Sequence, residues 1–216
     1  MKTVILISGK MQSGKNVVGS IIEKEIKYIN KTSKHLFFAK PLKDACKNDF
    51  QKVKEYFNSF VSDIIEKYNY VVPNELFKDI NKLLIEDENF YENKTELTRI
   101  LLQIYGTEIF RNRVDENYWV DKLSNEIKNG KDDYYIITDV RFPNEIDYLK
   151  QSLVSDYQRY KIVTIRVERP LERNNIIHEH PSESALDSYN FDYIINNSKS
   201  IDELELNAIN LFTLVK

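Results

Sequence analysis

An apolar run, Thr3-Val4-Ile5-Leu6-Ile7, leads straight into Ser8-Gly9-Lys10-Met11-Gln12-Ser13-Gly14-Lys15-Asn16. Gly9, Gly14 and Lys15 carry the G-x-x-x-x-G-K spacing of a phosphate-binding P-loop. The physical requirement behind that spacing is narrow. A strand delivers the loop, glycines let the backbone curl, and the exposed N–H groups face a polyphosphate at a helix N-terminus. Lys15 then reaches the β- and γ-phosphates as a mobile point charge. The segment that follows fits, because Val17, Val18, Ile21, Ile22, Ile26 and Ile29 form a stripe at helical spacing. Gly9, Lys10, Ser13, Gly14, Lys15, Asn16 and Val17 are therefore the candidate triphosphate-binding residues. Asn16 stands where Ser or Thr usually ligates Mg²⁺; its amide oxygen can still orient a hydrated ion, without a hydroxyl.

The chain has 216 residues, enough for a substantial core, and it reads as one domain with an insertion. A formal net charge of −3 argues against a polymeric nucleic acid as partner, while small anionic substrates need only local cations. The single cysteine, Cys46, excludes an intramolecular disulfide framework and suits a reducing cytosol. It reads as a packed thiol. No signal peptide and no membrane-length apolar run is evident, so the expected location is cytoplasmic.

Strands are expected at about 3–8, 35–39, 134–138, 161–167 and 193–195, and helices at about 14–29, 96–105, 117–128, 143 onward and 201–214. Gly106-Thr107 is read as a turn between two of these helices, and Ser200 as an N-cap with Glu203 three residues on. The stretch at about 47–95 reads as a helical insertion. Strands alternating with helices predict a parallel, doubly wound sheet, whose ligands sit beyond the carboxyl ends of the strands.

Three polar clusters stand out, two of them after strand ends. Asp139 closes an apolar strand at the position where a carboxylate holds the magnesium hydration shell or a substrate hydroxyl. Arg141 offers a planar fork suited to phosphate, and Glu145 lies one helical turn on. A second reading is open, in which Asp139 caps the next helix and Arg141 pairs with Glu145 at (i, i+4). In the segment 99–120, Arg99, Gln103, Thr107, Arg111 and Trp119 are candidates for contact with something polar and planar, with a core anchor the alternative for Trp119. Arg166, Arg169 and Arg173, ahead of a polar loop, suit a lid over a transferring phosphate at about 169–190. His178 and His180 have an H-x-H spacing that a packed or solvated pair explains as well as a metal does.

The set GKMQSGKN, FAKPLK, RILLQIYGTE with DENYWV, ITDVRFPNE, HPSESALD and DYIINN resembles the bacteriophage deoxynucleoside monophosphate kinases. The resemblance spans nearly the whole chain apart from about 47–95. It implies an α/β, three-layer P-loop fold of the nucleoside monophosphate kinase type, with a central parallel sheet and a helical insertion. It implies transfer of the ATP γ-phosphoryl group to a 2′-deoxynucleoside 5′-monophosphate, with ATP and Mg²⁺ required and a homodimer as assembly. Ser13, Gly14, Lys15 and Asn16 would hold ATP phosphates and Mg²⁺. Lys43, Arg99, Gln103, Thr107, Trp119, Asp139, Arg141 and Glu145 would form the monophosphate site. The residue after the P-loop lysine is often Asp in that family; Asn16 here shifts weight for the metal onto Asp139.

On this reading Lys15, Arg141, Asp139 and Arg169 carry the transfer. Phosphoryl transfer asks for two anions held in line and for neutralised charge on the equatorial oxygens. Arg141 and Arg99 would clamp the acceptor phosphate, Arg169 or Arg173 would reach the moving group, and Trp119 would pack on sugar or base. Two rivals are a phosphomevalonate kinase-like enzyme, which shares the P-loop and an Asp-x-Arg strand end, and a nucleotide-binding module without turnover.

Overall fold

A computed structural model describes residues 1–48, 50–68, 78–80, 82–83, 89–93, 95–154, 160–170 and 184–216. The chain divides into two compact units, one made of Met1–Phe38 with Val120–Lys216 and the other of Ala39–Trp119.

The first unit is built on five parallel strands: β1 (Lys2–Ser8), β2 (Ser33–Leu36), β3 (Tyr134–Val140), β4 (Tyr160–Glu168) and β5 (Tyr193–Asn196), in the order β2-β3-β1-β4-β5. Strand β1 is central, and both of its faces are apolar: Val4, Leu6, Ile5 and Ile7 are all fully buried. A strand covered on two sides has no need of polar alternation, which explains its unbroken hydrophobic sequence. On one face Ile5, Ile7, Ile136, Ile165 and Val167 pack with Val18, Ile22 and Ile26 of helix α1 (Lys15–Tyr28) and with Leu204, Ala208, Leu211 and Phe212 near the C-terminus. On the other, Val4, Leu6, Leu36, Tyr135 and Ile137 pack with Val120, Leu123, Ile127, Ile146, Leu149 and Leu153. The result is the expected three-layer α/β P-loop architecture with a parallel central sheet.

The expected fifth strand and last helix are present. The helix runs Ile201–Val215, and the Ser200 side chain accepts a hydrogen bond from the Glu203 N–H at 3.2 Å, as the cap reading required. Strand β2 differs from expectation. It begins at Ser33 and stops at Leu36, two residues earlier than 35–39 at its start and three at its end. The reason is a competing acceptor: the Phe38 N–H donates to the Asp139 Oδ1 at 2.9 Å, which pulls the chain out of the ladder. Ala39 then opens helix α2 (Ala39–Asn48).

In the second unit, helices α2, α3 (Phe50–Tyr68) and α4 (Glu96–Gln103) supply residues to a core of Cys46, Val53, Phe57, Leu101, Tyr105, Ile109, Phe110 and Trp119. The expected insertion at about 47–95 lies here, and much of it falls outside the described residues. Gly106-Thr107 is not a turn. Helix α4 passes without a break into a π-helical run, Ile104–Arg111, before helix α5 (Tyr118–Asn129). The Gly106 carbonyl accepts the Trp119 indole N–H at 2.9 Å, and a Cβ on Gly106 would lie 2.9 Å from the Leu42 Cδ2. Glycine is used there for close packing and a tertiary acceptor, so it gave a false turn signal. Helix interruptions of the π type recur at functional positions.

Candidate active site

All five strands are parallel, so their carboxyl ends share one rim of the first unit. Register makes this concrete: Ser8 pairs with Val140 on one side and with Arg166 on the other, and Glu168 pairs with Asn196. The loops that leave these strands begin at Gly9, Arg141, Arg169 and Asn197. Sequence order gives no hint of that proximity; strand order creates it.

The P-loop bends through two left-handed residues, Gln12 with φ of 62° and Gly14 with φ of 97°. Such alternation turns successive N–H groups inward into an anion-binding concavity. Gly14 is also the N-cap of α1 and has no side chain to satisfy the helix, which leaves the first-turn amides to a ligand. At Gly9 a Cβ would stand 2.7 Å from the Val167 carbonyl oxygen, so the loop passes too close to β4 for any other residue. The Lys15 ammonium donates to the Lys10 carbonyl at 3.1 Å, folding over the loop it serves. The Ser13 hydroxyl is 1% exposed and has no hydrogen-bond partner among the described residues. A buried hydroxyl without a partner is costly in a finished core and suited to a polyanion.

Asp139 lies on β3 one residue before its end, beside a register irregularity. Leu6 pairs with Ile137 but Ser8 with Val140, so β3 carries one extra residue across that stretch. Bulges of this kind re-aim a side chain near active sites. The Asp139 carboxylate organises the β2 exit through the Phe38 N–H. Arg141 is half-buried. Glu145 is 3% exposed, and its Oε2 accepts from the main-chain N–H groups of Arg141 (2.6 Å) and Phe142 (3.1 Å). With Pro143 opening helix α6 (Pro143–Val154), Glu145 is the third helical residue reaching back to the cap, half of a capping box. The Glu145 carboxylate thus braces the entrance of this helix by meeting the main chain of Arg141 and Phe142.

Of three further residues at this rim, Arg166 is grouped by the sequence with the lid arginines, while Asp187 and Asn197 carry no site reading there. Arg166 lies within β4, inside the expected strand 161–167, and is 8% exposed. Its guanidinium donates to the Ser8 Oγ (3.0 Å) and the Asp187 Oδ1 (2.6 Å), and packs over the Phe191 ring. Asp187 also pairs with Lys10 at 3.0 Å, tying the P-loop to β4 through one carboxylate. Asn197, just past β5, donates from its side chain to the Ser13 carbonyl at 2.9 Å. The pairing of Ser8 with Arg166 was the signal available for the first of these, and it needs strand order to be read.

The remaining candidates are distributed as follows. Arg169 is exposed directly after β4; Arg173, His178 and His180 lie outside the described residues. Lys43, Arg99, Gln103, Thr107 and Trp119 belong to the second unit. Arg99 is exposed on α4 and Lys43 and Thr107 are half-buried. Trp119 is 5% exposed, with its indole N–H on Gly106 and its ring against Phe110 and Tyr118. Those are the contacts of a core anchor, the alternative left open for it. Cys46 is fully buried and desolvation pushes its thiol up to about 12, which makes it a packed and unreactive group. Among the described residues no cluster of three His, Cys, Asp or Glu could hold a metal, and no helix is long and apolar enough to cross a membrane.

Residues 65–208 match the family model for deoxynucleotide monophosphate kinase. The deoxynucleoside-5′-monophosphate kinase of Escherichia phage T5 is 25% identical over 249 residues, covering 99% of this chain and 97% of that one. The deoxynucleotide monophosphate kinase of Enterobacteria phage T4 is 30% identical over 142 residues, covering 64% of this chain and 51% of that one. Among solved structures, the Mycobacterium tuberculosis APS kinase CysC in complex with AMPPNP and APS aligns with a TM-score of 0.46 at 10% identity, covering 98% of both chains.

Proposed function

This chain belongs to the deoxynucleotide monophosphate kinase family, and we propose that its P-loop holds ATP while the turn at Asp139–Arg141 receives the 5′-phosphate of a 2′-deoxynucleoside monophosphate. The product is the deoxynucleoside diphosphate. The observation that carries this assignment of sites is the pairing of Ser8 with Val140, which sets the two turns side by side on one rim.

Gly9, Lys10, Ser13, Gly14, Lys15, Asn16 and Val17 form the triphosphate cradle: amides and the Ser13 hydroxyl donate, and the Lys15 ammonium follows the γ-phosphate as charge moves. Arg141 binds the acceptor phosphate bidentately, on a turn that Glu145 keeps rigid. Arg169 adds positive charge toward the transferring group. The resemblance also assigns Lys43, Arg99, Gln103, Thr107 and Trp119 to the acceptor nucleotide.

Asn16 and Asp139 supply oxygen donors of the hard class that Mg²⁺ takes, and Mg²⁺ commonly needs only one or two protein oxygens beside water and phosphate. Bound there with ATP, the ion would neutralise β- and γ-phosphate charge. The cytoplasm of a host cell is the proposed location, and a homodimer the proposed assembly.

A coupled ADP-release assay with dAMP, dGMP, dCMP, dTMP and 5-phosphomevalonate tests this reading. Turnover on one or more deoxynucleotides supports it. ATP binding without turnover on any acceptor, or turnover on 5-phosphomevalonate alone, refutes it.

A further inference from the structure

The geometry points to Asn197 as a positioning residue that sets the direction of the Gly14 N–H in the P-loop. This inference rests on the reading of that loop as the triphosphate site.

The Asn197 side-chain amide donates to the Ser13 carbonyl at 2.9 Å across 184 residues of sequence. The peptide joining Ser13 to Gly14 is planar and trans, so its C=O and N–H point in opposite directions. Fixing the carbonyl outward onto Asn197 therefore fixes the Gly14 N–H inward, toward the concavity between Gln12 and Gly14. Gly14 has φ of 97°, a conformation from which a peptide can rotate into other wells at small cost. A loop of that kind needs an external hold if its donors are to be aligned before the anion arrives.

Asn197 is well placed to be that hold. It is 9% exposed, and its own main-chain N–H donates to the Glu168 carbonyl at 2.7 Å. The backbone that carries the donor is thus anchored to the end of β4. Its amide also occupies the space beside Gly14, where a Cβ would stand 2.6 Å from the Asn197 Nδ2. Glycine at 14 and asparagine at 197 are matched: the first leaves room for the amide, and the second uses that room to orient the loop.

The test compares the full chain with Asn197→Asp, which keeps the shape and loses the donor, and with Asn197→Ala, which adds no charge. Asn196→Asp, on the exposed neighbour in β5, is the control. Initial rates are taken against ATP at saturating acceptor and against acceptor at saturating ATP. In parallel, the Gly14 amide resonance is followed by NMR as inorganic pyrophosphate is added. Both Asn197 variants should raise KM for ATP about tenfold or more while KM for the acceptor stays within about twofold, as expected for loss of an interaction on one substrate only. The Gly14 resonance should move with pyrophosphate in the wild type and in the control, and respond weakly in both variants. An ATP KM within about twofold of wild type, or equal rises for both substrates, overturns the inference. So does an unchanged Gly14 response. If one variant does not fold, the other is judged by the same criteria. A wild type that turns over no acceptor sinks the kinase reading alone, because the pyrophosphate response still judges Asn197.

Discussion

The Glu145 carboxylate accepts the main-chain N–H of Arg141 at 2.6 Å, so the residue proposed to grip the acceptor phosphate is held by its backbone. Because Glu145 also takes the Phe142 N–H, Glu145→Ala would remove the carboxylate acceptor of two donors in a half-buried turn. The expected cost is about 1–3 kcal/mol of stability, the loss of two hydrogen bonds to a charged group in a turn that water can reach. Urea denaturation measures it. Glu145→Gln should lose less, since the amide oxygen still accepts, and an alanine variant as stable as wild type would contradict the capping role.

Arg141→Ala should act on one substrate. KM for the deoxynucleotide is expected to rise about tenfold or more, with KM for ATP little changed, as when one charge-assisted contact to phosphate is removed. Steady-state kinetics with each substrate varied in turn decides it. Equal losses on both would assign Arg141 a structural role.

Lys15→Ala should lower kcat by at least about a hundredfold, the scale on which removal of one preorganised donor from a transferring group is felt. Circular dichroism should be unchanged, because the ammonium's hydrogen bond to the Lys10 carbonyl is partly exposed and local. A near-normal rate would remove Lys15 from the mechanism.

Asp187 neutralises a buried guanidinium. Asp187→Ala leaves Arg166 with the Ser8 hydroxyl and the Phe191 ring, and should cost about 2–3 kcal/mol, below the range for fully buried pairs because Asp187 is partly exposed. The double variant Asp187→Ala with Arg166→Met should recover part of that loss. Thermal melts of the two variants and the wild type give the comparison, and a double variant no more stable than Asp187→Ala would contradict it.

His35 predicts a pH dependence of stability. Desolvation lowers its pKa from 6.5, with the Glu23 carboxylate pulling the other way. The folded chain therefore resists taking up a proton that the unfolded chain binds as pH falls below about 6.5, so stability is full above that value and declines as pH drops toward the folded pKa. His35→Gln should flatten the curve of melting temperature against pH between about 7.5 and 5, a slope set by the difference in bound protons. An identical slope in wild type and variant would exclude His35 as its source.

Much of this molecule was legible from local sequence. The strand, glycine loop and amphipathic helix at residues 2–28 follow from period and spacing alone, and so does the Ser200 cap. What failed to be legible depends on partners distant in sequence. Asn197 reaches Ser13, Arg166 reaches Ser8, and the Asp139 carboxylate draws the Phe38 N–H out of β2. The Gly106 error has the same origin, since its Trp119 and Leu42 neighbours turn an apparent breaker into a packing site. The anion cradle is a local device and could be read; the side chains that brace it, Arg166 on β4 and Asn197 just past β5, come from far along the chain.

The two outermost strands, β2 and β5, are four residues each, whereas the central β1 has seven. An unpaired strand edge is a template on which a foreign chain can add, and length sets how firmly it holds. By tapering to both margins the sheet offers little for such addition, even though Ile194 is exposed on β5. A foreign chain therefore meets only short templates at these two margins, and detachment of a margin strand is the step that would uncover the longer strands within.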